Sequence, residues 1–343
     1  MDALRGIAAL LVMWFHLSVR YFSDYGSTPH AFPAIPFQGL HGVYLFFMIS
    51  GFVITMTAAS ATPRQFLVSR FSRLFPAYWV CVILTFTIVA VLGLPGREQS
   101  VFAFSVNLTM LQQFFAVPLL DNVYWSLAYE LAFYAVVFVL LSADLFTRYP
   151  HQIAGVWLAC SAAYAGLRDY LHINVPEVLE ILTVASFAPL FMAGMMFYQL
   201  RTHRGERLTH LLIILCLALH ILLNVNDRRG WLLAVAMFCV FYLVTYDRLT
   251  VLRSRALVWL GLISYPLYLL HDNIGLASLR SLIAHGLSYD LALLITAVVV
   301  LLMAGAVSRF VERPAMKWLR LRLLPPKPSA SGDAASSSLT MSS

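Results

Sequence analysis

MDALRGIAALLVMWFH, residues 1–16, is an apolar run with two ionisable side chains set into it, Arg5 and His16. A helix rises ~1.5 Å per residue, so the two groups lie roughly 16 Å apart along its axis, about half of a ~30 Å hydrocarbon layer. Arg5 then sits at one interface and His16 reaches toward the midplane. A titratable group inside a membrane is expensive to keep, because an apolar residue would hold the helix better, and it marks a functional site by default.

The rest of the 343-residue chain is of the same kind, 61% hydrophobic and only 11% charged, with a mean hydropathy of +0.80, far from soluble composition. Apolar runs recur at about 4–20, 40–59, 75–94, 123–142, 152–167, 183–200, 209–223, 230–246, 255–276 and 289–309. They predict an all-α polytopic membrane protein of about ten transmembrane helices, with 101–118 as a re-entrant or interfacial segment. The first run has no small-x-small cleavage site and ends in Trp14, Phe15 and His16, so it reads as a retained helix.

With both termini cytoplasmic, 17 of the 23 basic residues fall on the inner side, as the positive-inside rule requires. The net charge of +7 is therefore a topology signal and not a nucleic-acid footprint. Residues 1–324 form one membrane domain, and 325–343, rich in Pro, Ser and Ala, read as a disordered tail. Cys81, Cys160, Cys216 and Cys239 lie in apolar stretches at wide spacing, which fits neither disulfides nor zinc and predicts no metal site.

Four groups carry chemistry. His16 is a candidate general base, which a carboxylate would assist by steadying the imidazolium. Arg70 and Arg73, at i and i+3, make a fork for phosphates or, equally, an anchor on lipid head groups; Pro76 is expected to restart the helix just after them. Glu130 stands about eight residues into the fourth span, where it needs a partner such as His16 or Arg5. Beside it, Tyr124 and Trp125 read as an aromatic belt or a sugar-stacking surface, followed by Ser126. In the ninth span Ser264, Tyr265, Tyr268 and His271 surround Pro266, which would loosen the helix, and His271 falls at the outer interface. Arg309 and Glu312 at i, i+3 are placed to pair. His41, Tyr44, Ser50 and Gly51 mark a wall where backbones approach closely, and His220 reads as a packed histidine.

In order and spacing, Arg5 with His16, Arg70-x-x-Arg73, Trp125-Ser126-Leu127-x-x-Glu130 and Ser264-Tyr265-x-x-Tyr268-x-x-His271 resemble the acyltransferase family 3 integral membrane proteins, over about residues 2–320. The resemblance implies transfer of an acyl group, usually acetyl, from cytoplasmic acyl-CoA to a hydroxyl of an extracytoplasmic or lipid-linked carbohydrate, at a bacterial inner membrane. It makes His16 the catalytic histidine and Glu130 its acidic partner. Arg5, Arg70 and Arg73 fall on the acyl-CoA side, with Trp125, Ser126, Tyr265, Tyr268 and His271 toward the substrates. The single acid at Glu130 is more similar to the exopolysaccharide-modifying branch, some of whose members rely on a separate periplasmic partner. The rival reading from the residues alone is a proton-coupled transporter with a His16/Glu130 relay, which leaves the arginine fork without a role.

Overall fold

The computed structural model describes residues 1–26, 39–203 and 206–324, and the expected tail lies outside them. Twelve helices carry the architecture: α1 (Asp2–Phe15), α2 (Gly39–Ala58), α3 (Pro63–Leu92), α4 (Trp125–Ser142), α5 (Pro150–Ala165), α6 (Ala188–Thr202), α7 (Arg207–Leu223), α8 (Arg228–Thr245), α9 (Arg255–Leu270), α10 (Asn273–Ala284), α11 (Tyr289–Val307) and α12 (Arg313–Leu323). No strand occurs among the described residues. The chain is an all-α polytopic membrane protein. Among the described residues, seven helical stretches are long and apolar enough to cross a membrane, including Asp2–Tyr25, Pro63–Leu92 and Tyr289–Leu323. The remaining expected spans are α5, α7 and α9, of 16, 17 and 16 residues, roughly 24–26 Å long and thus short of a full bilayer core. Residues 101–118 form no span: a short helix, Val101–Asn107, leads to a helical turn at Gln112–Phe115.

One expectation about prolines gives way. α3 does not restart at Pro76 but begins at Pro63, where Thr62 and Gln65 cap it reciprocally and the proline takes the first turn. Arg70 and Arg73 therefore sit inside a continuous helix and not at its mouth. α9 likewise runs unbroken through Pro266. The carbonyl of Leu262, four residues before Pro266 and so without its usual amide donor, accepts the Ser308 hydroxyl at 3.1 Å. The expected span 255–276 instead breaks at His271 and Asp272, and α10 departs as a separate helix.

Close crossings hold the bundle. α2 packs on α6 through Gly51 and Gly194, where an added Cβ would run into the carbonyl oxygens of Phe191 and Met48 respectively. α1 packs on α9 through Gly6 and Gly261 in the same manner. Without a hydrophobic drive between helices in lipid, such small-residue contacts supply the packing. The wall expected around Gly51 is this crossing. His220 is buried edge-on to the Tyr44 ring, centroids 4.7 Å apart, as a packed histidine.

Three π turns, His16–Arg20, Gly166–Tyr170 and Ser308–Glu312, occur at the ends of spans. Each widens one turn and re-aims the side chains beyond it, as π-bulges do at functional sites. Replacing Gly194 with Val is expected to cost about 3 kcal/mol, the upper range for overpacking, since backbone and not a movable side chain occupies the space. The measurement is thermal unfolding of the purified variant in detergent, and an unchanged melting temperature would remove this crossing from the account.

Candidate functional site

Two cavities gather the candidate residues. The first, about 240 Å³, is lined by Arg5, Ser50, Arg70, Arg73, Ser126, Glu130, Tyr134, Tyr265 and Arg320, among others. The second, about 650 Å³, is lined by His16, Arg20, Asn122, Val123, Trp125 and Asp272 together with α2 and its neighbours. Val43 and Tyr268 line both, so the two adjoin there.

In the arginine cavity α3 delivers Arg70 and Arg73 from successive turns. Arg70 lies over the Tyr134 ring at 5.8 Å, donates to Ser69 Oγ at 3.1 Å, and its Nε has no partner among the described residues. Arg73 makes an ion pair with the fully buried Glu312 and lies 5.9 Å over the Tyr265 ring. The i, i+3 spacing pairs Glu312 with Arg309, but the π turn at 308–312 carries it inward to Arg73 instead, while Arg309 packs over Phe310. Glu130 accepts from Ser50 Oγ at 3.0 Å and from the Tyr134 hydroxyl. Arg320, on α12, donates to Ser69 Oγ at 3.2 Å. Four guanidiniums thus meet three carboxylates among the described residues here, Glu130, Glu312 and Asp2, the last 3.9 Å from Arg5, so the cavity still carries positive charge in excess. In a partly buried, low-dielectric space that excess draws an anion, and guanidiniums suit phosphates above other anions.

The histidine cavity is built differently. His16 opens the π turn, with Nδ1 2.9 Å from the Val12 carbonyl oxygen and 3.1 Å from His271 Nε2. His271 is fully buried, lines neither cavity, and its Nδ1 donates to the carbonyls of Tyr268 at 2.8 Å and Leu267 at 3.2 Å. The ring partner of His16 is therefore His271 and not Glu130, which lines the other cavity. Trp125 leans on Phe187, centroids 5.5 Å apart, at the cavity wall. Tyr268 lines both cavities, its hydroxyl donating to the Val123 carbonyl at 2.9 Å and lying 2.8 Å from Ser126 Oγ. Tyr265 donates to the Leu74 carbonyl at 3.2 Å.

Sequence reasoning missed Asp272, Arg320 and the inward role of Glu312. Asp272 is fully buried, with Oδ2 3.3 Å from Arg97 and Oδ1 unpartnered among the described residues. Arg97 also reaches Asn273 Oδ1 at 2.8 Å and Asp24 at 2.9 Å, clamping three segments together. An acid inside the run 255–276 is as visible a signal as Glu130; the adjacent histidine draws attention away from it. No cluster of three His, Cys, Asp or Glu side chains able to hold a metal is present among the described residues.

A family model described as an acyltransferase domain matches residues 1–308. The chain is 29% identical over 193 residues to the O-acetyltransferase OatA of Staphylococcus aureus (strain NCTC 8325 / PS 47), covering 50% of the chain and 29% of that protein. It is 26% identical over 201 residues to Nodulation protein 10 of Rhizobium leguminosarum bv. viciae, covering 52% of the chain and 54% of that protein. A third relative, Protein 2 in picA locus of Rhizobium radiobacter, is 33% identical over 104 residues, 28% of the chain and 49% of that protein. The chain thus spans from under a third to about half the length of these relatives. No solved structure matches.

Removing one partner of the Arg73–Glu312 pair strands the other in the bundle, so Glu312→Ala is expected to cost about 3 kcal/mol, while Arg73→Met with Glu312→Met recovers most of it. Thermal unfolding of the two variants checks this; equal losses in both would mean that packing, not charge, holds the contact.

Proposed function

The chain belongs to the acyltransferase 3 family of integral membrane proteins, and from that premise we propose that it moves an acyl group, acetyl in the simplest case, from cytoplasmic acyl-CoA to a hydroxyl of a carbohydrate on the far side of a bacterial inner membrane. The observation that carries the donor assignment is the excess of guanidinium charge in the arginine cavity. Coenzyme A brings a pyrophosphate and a further phosphate to match it. Arg70 and Arg320, neither of them in an ion pair among the described residues, hold the phosphates; Arg73 does so while balanced by Glu312, and Arg5 closes the wall. Glu130 acts on this side, orienting Ser50 and Tyr134 beside the donor. The thioester end passes Tyr265 and Tyr268 to the place where the cavities adjoin.

The acceptor enters the histidine cavity. A sugar ring has an apolar face for Trp125 and hydroxyls for Asp272, which lines this cavity. His16 takes the proton of the attacking hydroxyl as its oxygen bonds to the thioester carbon; the carbon–sulfur bond breaks and the departing thiolate takes that proton from His16. The thioester is activated already, so positioning and base assistance carry the barrier reduction. Both termini face the cytoplasm in this arrangement, and a separate periplasmic partner carries the acyl group onward where the final acceptor is a polymer. The excess of arginine in the cavity also favours this reading over the proton-coupled transporter, which has no use for it.

The test is transfer and hydrolysis of radiolabelled acetyl-CoA by the purified protein in liposomes. His16→Ala is expected to lower turnover by about 10²- to 10⁴-fold, the usual share of a general base, with acetyl-CoA binding retained. Arg70→Ala with Arg320→Ala is expected to weaken acetyl-CoA binding by about 10- to 100-fold without disturbing the Glu312 pair. A wild-type protein that neither binds nor consumes acetyl-CoA would overturn the donor assignment.

A further inference from the structure

We infer that His271 is a positioning residue that, together with the Val12 carbonyl, fixes the proton of His16 on Nδ1 and so leaves His16 Nε2 as the basic nitrogen facing the acceptor. The inference deepens the acyl-transfer reading and rests on His16 being its base, although where the proton sits is a property of the resting protein.

The hydrogen bonds fix the tautomers in order, outward from the protein interior. His271 Nδ1 lies 2.8 Å from the Tyr268 carbonyl oxygen and 3.2 Å from that of Leu267. Carbonyl oxygens only accept, so this nitrogen carries hydrogen. His271 is fully buried, and a second proton would place a cation there next to Asp272, whose charge is already met by Arg97. The neutral ring therefore presents a lone pair at Nε2. His16 Nδ1 is 3.1 Å from that lone pair and 2.9 Å from the Val12 carbonyl oxygen. Two acceptors converge on one nitrogen, so His16 Nδ1 must be the donor, sharing its hydrogen between them. A neutral imidazole has one N–H, and Nε2 of His16 is left bare. The opposite tautomer would set a lone pair of His16 against two others.

The surroundings keep the bare nitrogen usable. His16 lines the cavity that holds Trp125 and Asp272, whereas His271 lines neither cavity and acts only through His16. At the start of α2, Gly39 lies against the same ring: an added Cβ would stand 3.2 Å from His16 Cε1, the carbon between the two nitrogens. A side chain there would crowd the edge where the hydroxyl must approach.

In the reaction the acceptor's O–H proton moves to His16 Nε2 while the oxygen forms its bond to the acyl carbon, and the same proton leaves with the thiolate. In between, the ring is a cation whose Nδ1–H points at His271. That hydrogen bond becomes charge-assisted at the moment charge appears, the part a carboxylate plays behind the histidine of hydrolytic triads. A neutral imidazole does this without a second buried charge.

The experiment uses the full chain labelled with [¹⁵N]histidine in lipid nanodiscs, with the His16 signals identified by their loss in His16→Gln. The expected spectrum at neutral pH shows hydrogen on His16 Nδ1 and a bare Nε2. His271→Leu, whose new side chain accepts nothing, leaves the Val12 carbonyl as the remaining acceptor and is expected to weaken that preference and lower kcat by about 10- to 100-fold with acetyl-CoA affinity unchanged. His271→Gln, whose side-chain carbonyl can accept the same hydrogen, is expected to restore kcat to within about fivefold of wild type. Hydrogen on His16 Nε2 in the wild-type spectrum overturns the inference, as does a His271→Leu protein with wild-type kcat and an unchanged His16 spectrum. The wild-type spectrum decides the proton position whether or not that variant folds. Because it needs no turnover, its outcome is separate from a failure of acyl transfer itself.

Discussion

The imidazole of His271 takes the last carbonyls of its own helix, those of Tyr268 and Leu267, and this local capture shapes one end of the molecule. With those oxygens engaged by a side chain, the helix stops, and the next two residues turn away from its axis. Asp272 is delivered to Arg97, and Asn273 gives its backbone N–H to Asp121 at 3.0 Å and its side-chain amide to the Leu120 carbonyl at 2.8 Å. The wall of the histidine cavity and the loops that roof it are thereby tied to one break in one helix. Irregular backbone at membrane depth is tolerated where it lines a cavity and is enclosed by protein, and that is its situation here.

Charge is distributed by the same economy. Near the histidines the ionisable groups are matched into a chain of neutral or paired partners. Near Arg70 they are not, and the surplus is left for a ligand to satisfy. α12 completes the second arrangement from outside the bundle: it is amphipathic, with Trp318 and Leu321 exposed and Arg320 turned to the cavity, so a helix that reads as a surface anchor also furnishes part of the site.

Hydropathy made the all-α membrane fold legible, and the spacing of Arg5, His16, Arg70, Arg73 and Glu130 singled out residues that line the two cavities. The hidden part depended on facts no periodicity carries. Whether Pro76 and Pro266 break a helix turns on who donates to the freed carbonyl, and for Pro266 that is Ser308 from another helix. The partner of His16 lies 255 residues away, and Glu130 was the more obvious candidate because a carboxylate is the commoner companion of a basic histidine. The inward swing of Glu312 comes from a π turn, a one-residue change in phase that an i, i+3 argument along a regular helix cannot contain.

Val43 and Tyr268 stand between the two cavities, and on the proposed reaction that arrangement gives the molecule a direction. On that reading a coenzyme that is large and multiply charged is arrested at the arginines, and only its small acyl end is short enough to reach the neighbouring chamber. On the proposed reaction, the bilayer stays sealed to the carrier while the group it carries is handed across. Chemistry and translocation become one event: the free energy of a thioester made on one side is discharged as an ester on the other, in a compartment that need hold no coenzyme of its own.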